Sequence, residues 1–350
     1  MAFWTDAENK FILENPTLTP TELYRAWLQT FGETRTFPSV EHKVYKLRGP
    51  FSSRVVTEDL VSSPTATPPP TDAGFEWLQS TLAAAKAITP KPPQEEPGKR
   101  TRVLFLSDLH FGQQHEMFDY PFNMQAARDR LLAIPYKMKG PKPGKIVVAF
   151  GGDCIEGENI YPNQQVHIEK PAIEQAQAFS VAIWEMLELL YKKFSCPIDV
   201  YTVPGNHGTT GKYASELSNW DNVGYLLLQA LSGLSEAPIS VHYNPQEFCM
   251  FTVRGHKILL NHHGVKHTGT PAMRTKLAGW RELFEYDIFL HGHWHEWKVG
   301  QWFGKFVLCN GSLGGVNKYA TKLAVGGPPM QTYFDLIESV EPNDFRIVNW

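Results

Sequence analysis

The sequence predicts an α/β fold, with layered strands and helices, preceded by a small all-α module. Three observations predict it. From residue 100 onward, short apolar runs alternate with helical patterns. Five of those runs lead into clusters of histidine, aspartate or asparagine. Ahead of them, two proline-rich stretches at 62–72 and 89–98 set apart a segment that has its own helix-start signals.

Residues 1–50 read as three short helices. Thr5-Asp6-Ala7-Glu8 is a capping box, and Thr19-Pro20-Thr21-Glu22 is another with proline at the first helical position. A third helix fits from Ser39 to Arg48, and its exposed side offers Lys43, Lys46 and Arg48. Phe11, Ile12, Leu23, Trp27 and Val40 supply a core for the three. Residues 51–99 read as a proline-rich, semi-extended linker with one short helix at 75–88. Beyond it lie apolar runs at 103–106, 146–150, 200–203, 258–260 and 288–290, rich in Val, Ile and Leu. Such runs are what strands buried on both faces look like. Helices are expected at 125–133, 172–194 and 224–231, and further strands at 248–253, 306–309 and 330–336. The long helix places Ile173, Ala176, Ile183, Leu187 and Leu190 near a 3.6-residue period.

The polar clusters are Asp108-Leu109-His110, Gly152-Asp153, Gly205-Asn206-His207, His262-His263-Gly264 and Gly292-His293-Trp294-His295. They sit where buried strands end, the place at which layered α/β folds form ligand sites. Imidazole, carboxylate and amide oxygen together make a mixed nitrogen and oxygen shell. That shell suits two divalent metal ions, manganese first, with Fe, Zn, Co and Mg as alternatives. Asp153 stands alone after its strand, and a lone carboxylate can bridge two ions with its two oxygens. Two ions about 3.5–4 Å apart can hold a hydroxide and clamp a phosphoryl group.

Taken in order, D-x-H, G-D, G-N-H, H-G and G-H-x-H resemble the motifs of the calcineurin-like metallophosphoesterases, over residues 100–350. The resemblance implies a four-layer α-β-β-α sandwich. It implies one ion held by Asp108, His110, Asp153 and His295, and a second held by Asp153, Asn206, His263 and His293. His207 would bind no metal and would act with Asp153 in catalysis, as general acid for the leaving oxygen. The chain departs from the family pattern at Gly208, where an acidic residue usually follows G-N-H and orients the histidine. At the fourth motif, neighbours on a strand point opposite ways, and His263 beside Gly264 is preferred to His262.

Asp108-Leu109-His110-Phe111-Gly112 has the D-x-H-x-G form that resembles SbcD-type DNA repair nucleases. The N-terminal helices resemble helix-turn-helix or Myb-like modules, with Lys43, Lys46 and Arg48 toward a DNA groove. A protein-interaction module is the alternative. Lys212, Lys266 and Arg274 are expected to contact substrate phosphates, while Glu156 and Glu158 read first as solvated loop residues, with positioning of a substrate or an outer-shell water as the alternative. Trp294 reads as structural, and Asn310-Gly311-Ser312 as a turn that closes near the site.

Composition sets outer bounds. With 42% hydrophobic residues and no apolar run of eighteen, the chain reads as globular without a membrane span. Its first residues lack a basic region followed by an apolar core, and its four cysteines form no C-x-x-C, so a cytoplasmic location is expected. The leading expectation is a dimetal phosphodiesterase acting on nucleic acid, DNA first. A net charge of −3 lacks the basic surplus of a non-specific nucleic-acid binder. It keeps open a phosphomonoesterase or small-molecule phosphodiesterase, with a non-catalytic DNA-binding scaffold as the third reading.

Overall fold

A computed structural model describes residues 5–15, 20–31, 40 and 43. From 100 to 350 it describes all but 117–119, 162–163, 212–213, 215–216, 267–269, 318–319, 322–325, 339 and 343. The chain divides into two units, Met1–Pro69 and Pro70–Trp350.

In the first unit, α1 (Asp6–Glu14) starts at Thr5. The Thr5 side chain accepts from Glu8 N, and the Glu8 carboxylate accepts from Thr5 N at 2.7 Å, so the expected capping box forms. Helix α2 (Pro20–Phe31) packs Leu23 and Trp27 onto Ile12 and Val40, all fully buried. Of the expected third helix only Val40 and Lys43 are described. The cap at Thr19, the linker at 51–99 with its helix at 75–88, and Lys46 and Arg48 lie outside the described residues.

The second unit is built on two mixed sheets. One orders β11-β10-β1-β2-β3-β4. Its parallel strands are β1 (Thr101–Leu106), β2 (Lys145–Gly151), β3 (Ile198–Val203) and β4 (Ile239–His242); β10 (Met330–Leu336) pairs antiparallel with β1, and β11 (Arg346–Asn349) pairs antiparallel with β10 at the edge. The other orders β5-β6-β7-β9-β8. Here β6 (His256–Asn261), β7 (Ile288–His291) and β9 (Lys305–Cys309) are parallel, flanked by antiparallel β5 (Phe248–Val253) and β8 (Lys298–Trp302).

Alternating residues of the two sheets face each other. Val103, Phe105, Val147 and Ala149 meet Ile258, Leu260, Ile288 and Leu290 in a dry inner core. The opposite faces are covered by helices. Leu104, Leu106, Val148 and Phe150 pack under α3 (Met124–Lys137), α4 (Ala172–Phe194) and α5 (Trp220–Leu234). Leu259, Phe289 and Val307 pack under α6 (Pro271–Phe284) through Leu277 and Trp280. The fold is therefore the four-layer α-β-β-α sandwich. Among the described residues no helix is long and apolar enough to cross a membrane.

Some elements differ from the sequence reading. Helix α3 runs on through Pro135 to Lys137 rather than stopping at residue 133. Strands β4, β8 and β11, each of four or five residues, and helix α6, which fully buries only Leu277, lie outside the sequence reading. The cysteines are free, with Cys154, Cys196 and Cys309 buried and Cys249 half-buried.

At the start of β1, Arg102 has no exposed surface and pairs across the ladder with Asp335. Its Nε and Nη2 donate to the two carboxylate oxygens at 2.7 and 2.9 Å, a bidentate fork. Asp335→Ala would leave a buried guanidinium unpaired. We expect a loss of about 3–5 kcal/mol of stability in chemical denaturation; an unchanged midpoint would show that water reaches Arg102.

Candidate metal centre

Every strand that feeds the centre is parallel to its feeding neighbours, so the C-terminal ends lie together. Asp108 comes two residues after β1 and Asp153 two after β2, while Asn206 follows β3 by three. His262 follows β6 directly, and His293 and His295 come just after β7. The loops are laced by backbone bonds as they leave the sheet. Asp108 N donates to Gly152 O, His110 N to Asp153 O and Phe111 N to Cys154 O, at 2.9–3.0 Å. Asp108, His110, Asp153, His293 and His295 all adopt left-handed backbone, with φ from 47° to 74°. Such φ values cost energy in non-glycine residues and persist where the surroundings fix them, commonly at functional sites.

Four overlapping groups of ligand atoms result among the described residues: Asp108, His110 and His295 form the first; His262, His263 and His293 the second; Asp108, Asp153 and His262 the third; and His110, Glu156 and His207 the fourth. In the first, His110 Nε2 and His295 Nε2 are 3.1 Å apart, and His295 Nε2 is 3.2 Å from Asp108 Oδ1. In the second, His262 Nδ1 donates to Gly151 O at 2.7 Å. Its Nε2 then points at Asn206 Oδ1, 2.9 Å away, and at Asp153 Oδ2, 3.0 Å away. With Nδ1 carrying its proton, the neutral ring would face these two oxygens with a lone pair. Only a proton or a cation relieves such a meeting of acceptors in a buried place. This donor set therefore fits divalent metal.

The charges follow from the same geometry. Burial opposes ionisation of Asp108, yet His295 and His262 hold its carboxyl down at about 2. Burial likewise works against Asp153, and His262 and His207 outweigh it, keeping the carboxyl well below the usual range. Burial acts to lower His262, but the Asp153 and Asp108 carboxylates raise its ring to about 9. Burial pushes His110 down, His263 to about 4 and His293 to about 3, so these rings are neutral bases at neutral pH.

The two adjacent histidines behave differently from the expectation. Strand alternation stops at Asn261, and the chain bends at 262–263, so both rings reach the cluster. The ring that touches Asp153 and Asn206 is His262, fully buried; His263 lies toward the rim, its ring centroid 4.8 Å from that of His293. The geometry thus places His262, rather than His263, against the Asp153 carboxylate.

His207 lies between Tyr161 and His110, with ring centroids 4.8 and 4.6 Å away. Burial would lower its ring, but Glu156 and Asp153 raise it to about 10. Glu156 is itself buried rather than solvated. Burial resists its charge, and the His207 and His110 imidazoles hold its carboxyl well below the usual range. Tyr161, 43% exposed, accepts from Asn206 Nδ2 at 2.7 Å and forms part of the mouth.

Of the expected phosphate contacts, Lys266 lies 5.5 Å over the Trp294 ring at the rim, Arg274 is exposed on α6, and Lys212 lies outside the described residues. The turn at 310–312 closes on the site: Ser312 Oγ and Leu313 N donate to Asp108 O. Sequence reasoning missed Asp221 altogether. This fully buried carboxylate accepts from Cys154 N and Ile155 N at 3.1 Å and from Gly205 N at 2.9 Å. It ties the Asp153 loop to the Asn206 loop. Burial, then the Asp153 charge, raises its carboxyl to about 6. Its place in the first turn of α5, after the capping Asn219, was the only signal available.

The sequence model of the calcineurin-like phosphoesterases matches residues 101–309. No curated protein sequence matches the chain. Several solved structures are similar. Vacuolar protein sorting 29 from Cryptosporidium parvum is 17% identical, over 72% of this chain and 100% of that one, with a TM-score of 0.36. A predicted phosphoesterase from Streptococcus pneumoniae is 13% identical over 72% and 98%, with a TM-score of 0.32. An archaeal phosphodiesterase is 12% identical over 71% and 99%, with a TM-score of 0.35.

Asp221→Ala would strip three buried N–H groups of their acceptor. We expect a loss of about 2–4 kcal/mol in chemical denaturation, accompanied by weaker metal uptake as the two loops separate. Full stability with full metal content would show that the loops hold without it.

Proposed function

Because the chain belongs to the calcineurin-like phosphoesterases, we propose that it is a dimetal phosphodiesterase acting on nucleic acid, most simply a DNA nuclease. The observation that carries the dimetal reading is the convergence of Asp153 Oδ2, Asn206 Oδ1 and His262 Nε2 beside the Asp108–His110–His295 group. One ion is assigned to Asp108, His110, Asp153 and His295. The other is assigned to Asp153, Asn206, His262 and His293, with His263 beside it. Manganese is the first choice for both, with Fe, Zn, Co and Mg behind it. When bound, two such ions supply Lewis-acid charge to a phosphoryl group and acidify water.

The chain's own residues do the rest. His207, like His263, is left without a metal in this assignment, and it alone of the two lies against Glu156 and Tyr161. It donates a proton from its ring to the departing oxygen. Lys266 over Trp294, with Lys212 and the exposed Arg274 on α6, offers positive charge to a phosphate backbone. Support for DNA comes from the D-x-H-x-G motif at 108–112 and from Lys43, Lys46 and Arg48 in the N-terminal unit. The net charge of −3 favours a second reading, a phosphomonoesterase or small-molecule phosphodiesterase on the same centre. Purified protein with Mn²⁺ should be offered single- and double-stranded DNA, RNA, a bis-nitrophenyl diester and a nitrophenyl monoester. Cleavage of the monoester with the DNA left intact would remove the nuclease reading.

Metal counting separates the two neighbouring histidines. We expect the parent to hold two ions, His262→Ala to lose one, and His263→Ala to keep both; the reverse pattern in elemental analysis would reassign the ligand. Asp153→Asn should lose metal and activity together. His207→Ala should keep its metal and slow turnover roughly 100-fold or more, and unchanged turnover would refute its role as acid.

A further inference from the structure

Among the side chains assigned to the two ions, Asn206 is the amide. It is half-buried, whereas Asp153 and His262 are sealed from solvent. An amide gives a metal only its carbonyl oxygen, because its nitrogen is a donor. The end that faces inward therefore decides whether Asn206 is a ligand. Inward, Oδ1 lies 2.9 Å from His262 Nε2. Outward, Nδ2 donates to the Tyr161 hydroxyl oxygen at 2.7 Å. The backbone beneath is already tied down, since Thr209 Oγ1 donates to Asn206 O at 2.9 Å. What is left to set is the side chain's own torsions.

Tyr161 stands in the segment between β2 and α4, and although partly exposed it is held on several sides. The pin is Gln164, which is buried. Its Oε1 accepts from Ile160 N at 2.9 Å and from Tyr161 N at 3.3 Å, and its own N donates to Tyr161 O at 3.1 Å. Its Nε2 donates to Glu156 O at 2.6 Å. The Tyr161 ring rests on His207, with centroids 4.8 Å apart and planes tilted by 43°. Water accepts an amide N–H as well as a phenol does, but it moves with the amide. A hydroxyl carried on a pinned loop does not, and so it sets an orientation.

We propose that Tyr161 is the positioning residue for Asn206, its hydroxyl oxygen holding the outward Nδ2–H so that Oδ1 stays aimed at the second ion. It acts through the amide and meets neither the ions nor the reacting atoms. A ligand held ready in this way loses less freedom when the metal arrives, and that saving appears as affinity. The effect falls on one ion, because Asn206 is assigned to the second ion alone. This rests on the dimetal reading.

The test is Mn²⁺ binding by calorimetry to the full chain, for the parent, Tyr161→Phe and His262→Ala. Tyr161→Phe keeps the ring and removes only the hydroxyl. The second ion is the one that His262→Ala loses. Its affinity should fall about 10-fold in Tyr161→Phe, the low end for an outer partner because the bond is open to solvent, while the other ion binds as in the parent. Unchanged affinity would overturn the proposal, since water would then serve as well. Equal loss at both ions would overturn it too, because the hydroxyl would then support the cluster as a whole. A second readout needs no metal. In side-chain amide ¹⁵N spectra of the metal-free protein, the Asn206 Nδ2 protons should shift in Tyr161→Phe and exchange faster with water. If the parent takes up fewer than two ions, the dimetal reading fails, and this signal alone decides: an unmoved, equally slow pair refutes the positioning role.

Discussion

Two carboxylates placed out of water within one small cluster govern the second unit. Asp108 and Asp153 share it with His262, all three with at most 1% of their surface exposed. Like charges so close and so dry repel strongly, and burying either alone would drive it to take up a proton. The surroundings answer that charge from every side. His293 N and the Ser107 hydroxyl donate to Asp108, His207 N donates to Asp153, and the rings of His262 and His295 press against both carboxylates. The imidazoles are thus as much a requirement of the buried acids as a provision for metal.

The fold makes that concentration attainable. Parallel strands deliver their C-terminal ends to one place, and the inner core between the sheets keeps them from spreading. Backbone ties then convert nearness into register. Asp221 joins the second and third loops. Asn310 donates to Phe105 O and to Gln331 Oε1, while Gln331 Nε2 donates to Ser107 O. The loop after β1 is therefore fixed from β9 and β10, strands that contribute no ligand. Residues remote from the chemistry set the positions of those that carry it.

Much of this was legible in the amino-acid order. Buried strands announce themselves as apolar runs, and β5, β10 and α4 begin and end at the expected residues. The polar clusters were visible because each follows such a run. Four things were not. Helix α6 carries a stripe of Met273, Leu277, Trp280 and Phe284, but only Leu277 is fully buried and the basic residues between them read as a phosphate-contacting loop. Glu156 looked like a solvated loop residue, because its burial depends on Gln113, Gln164 and Gln175 arriving from elsewhere. Asp221 bonds only to backbone, which leaves no side-chain pattern to read. Strand alternation offers no choice between His262 and His263, because it stops at Asn261 and both rings reach the cluster.

The left-handed backbone at Asp108, His110, Asp153, His293 and His295 bears on how such a centre can drift over generations. That conformation is tolerated by aspartate, asparagine and histidine far better than by bulky or β-branched residues. The main chain thereby limits the alphabet open to mutation at these positions before any ion is considered. A lineage seeking a different metal would find threonine or isoleucine excluded by sterics, and its accessible route would run through exchanges among that trio.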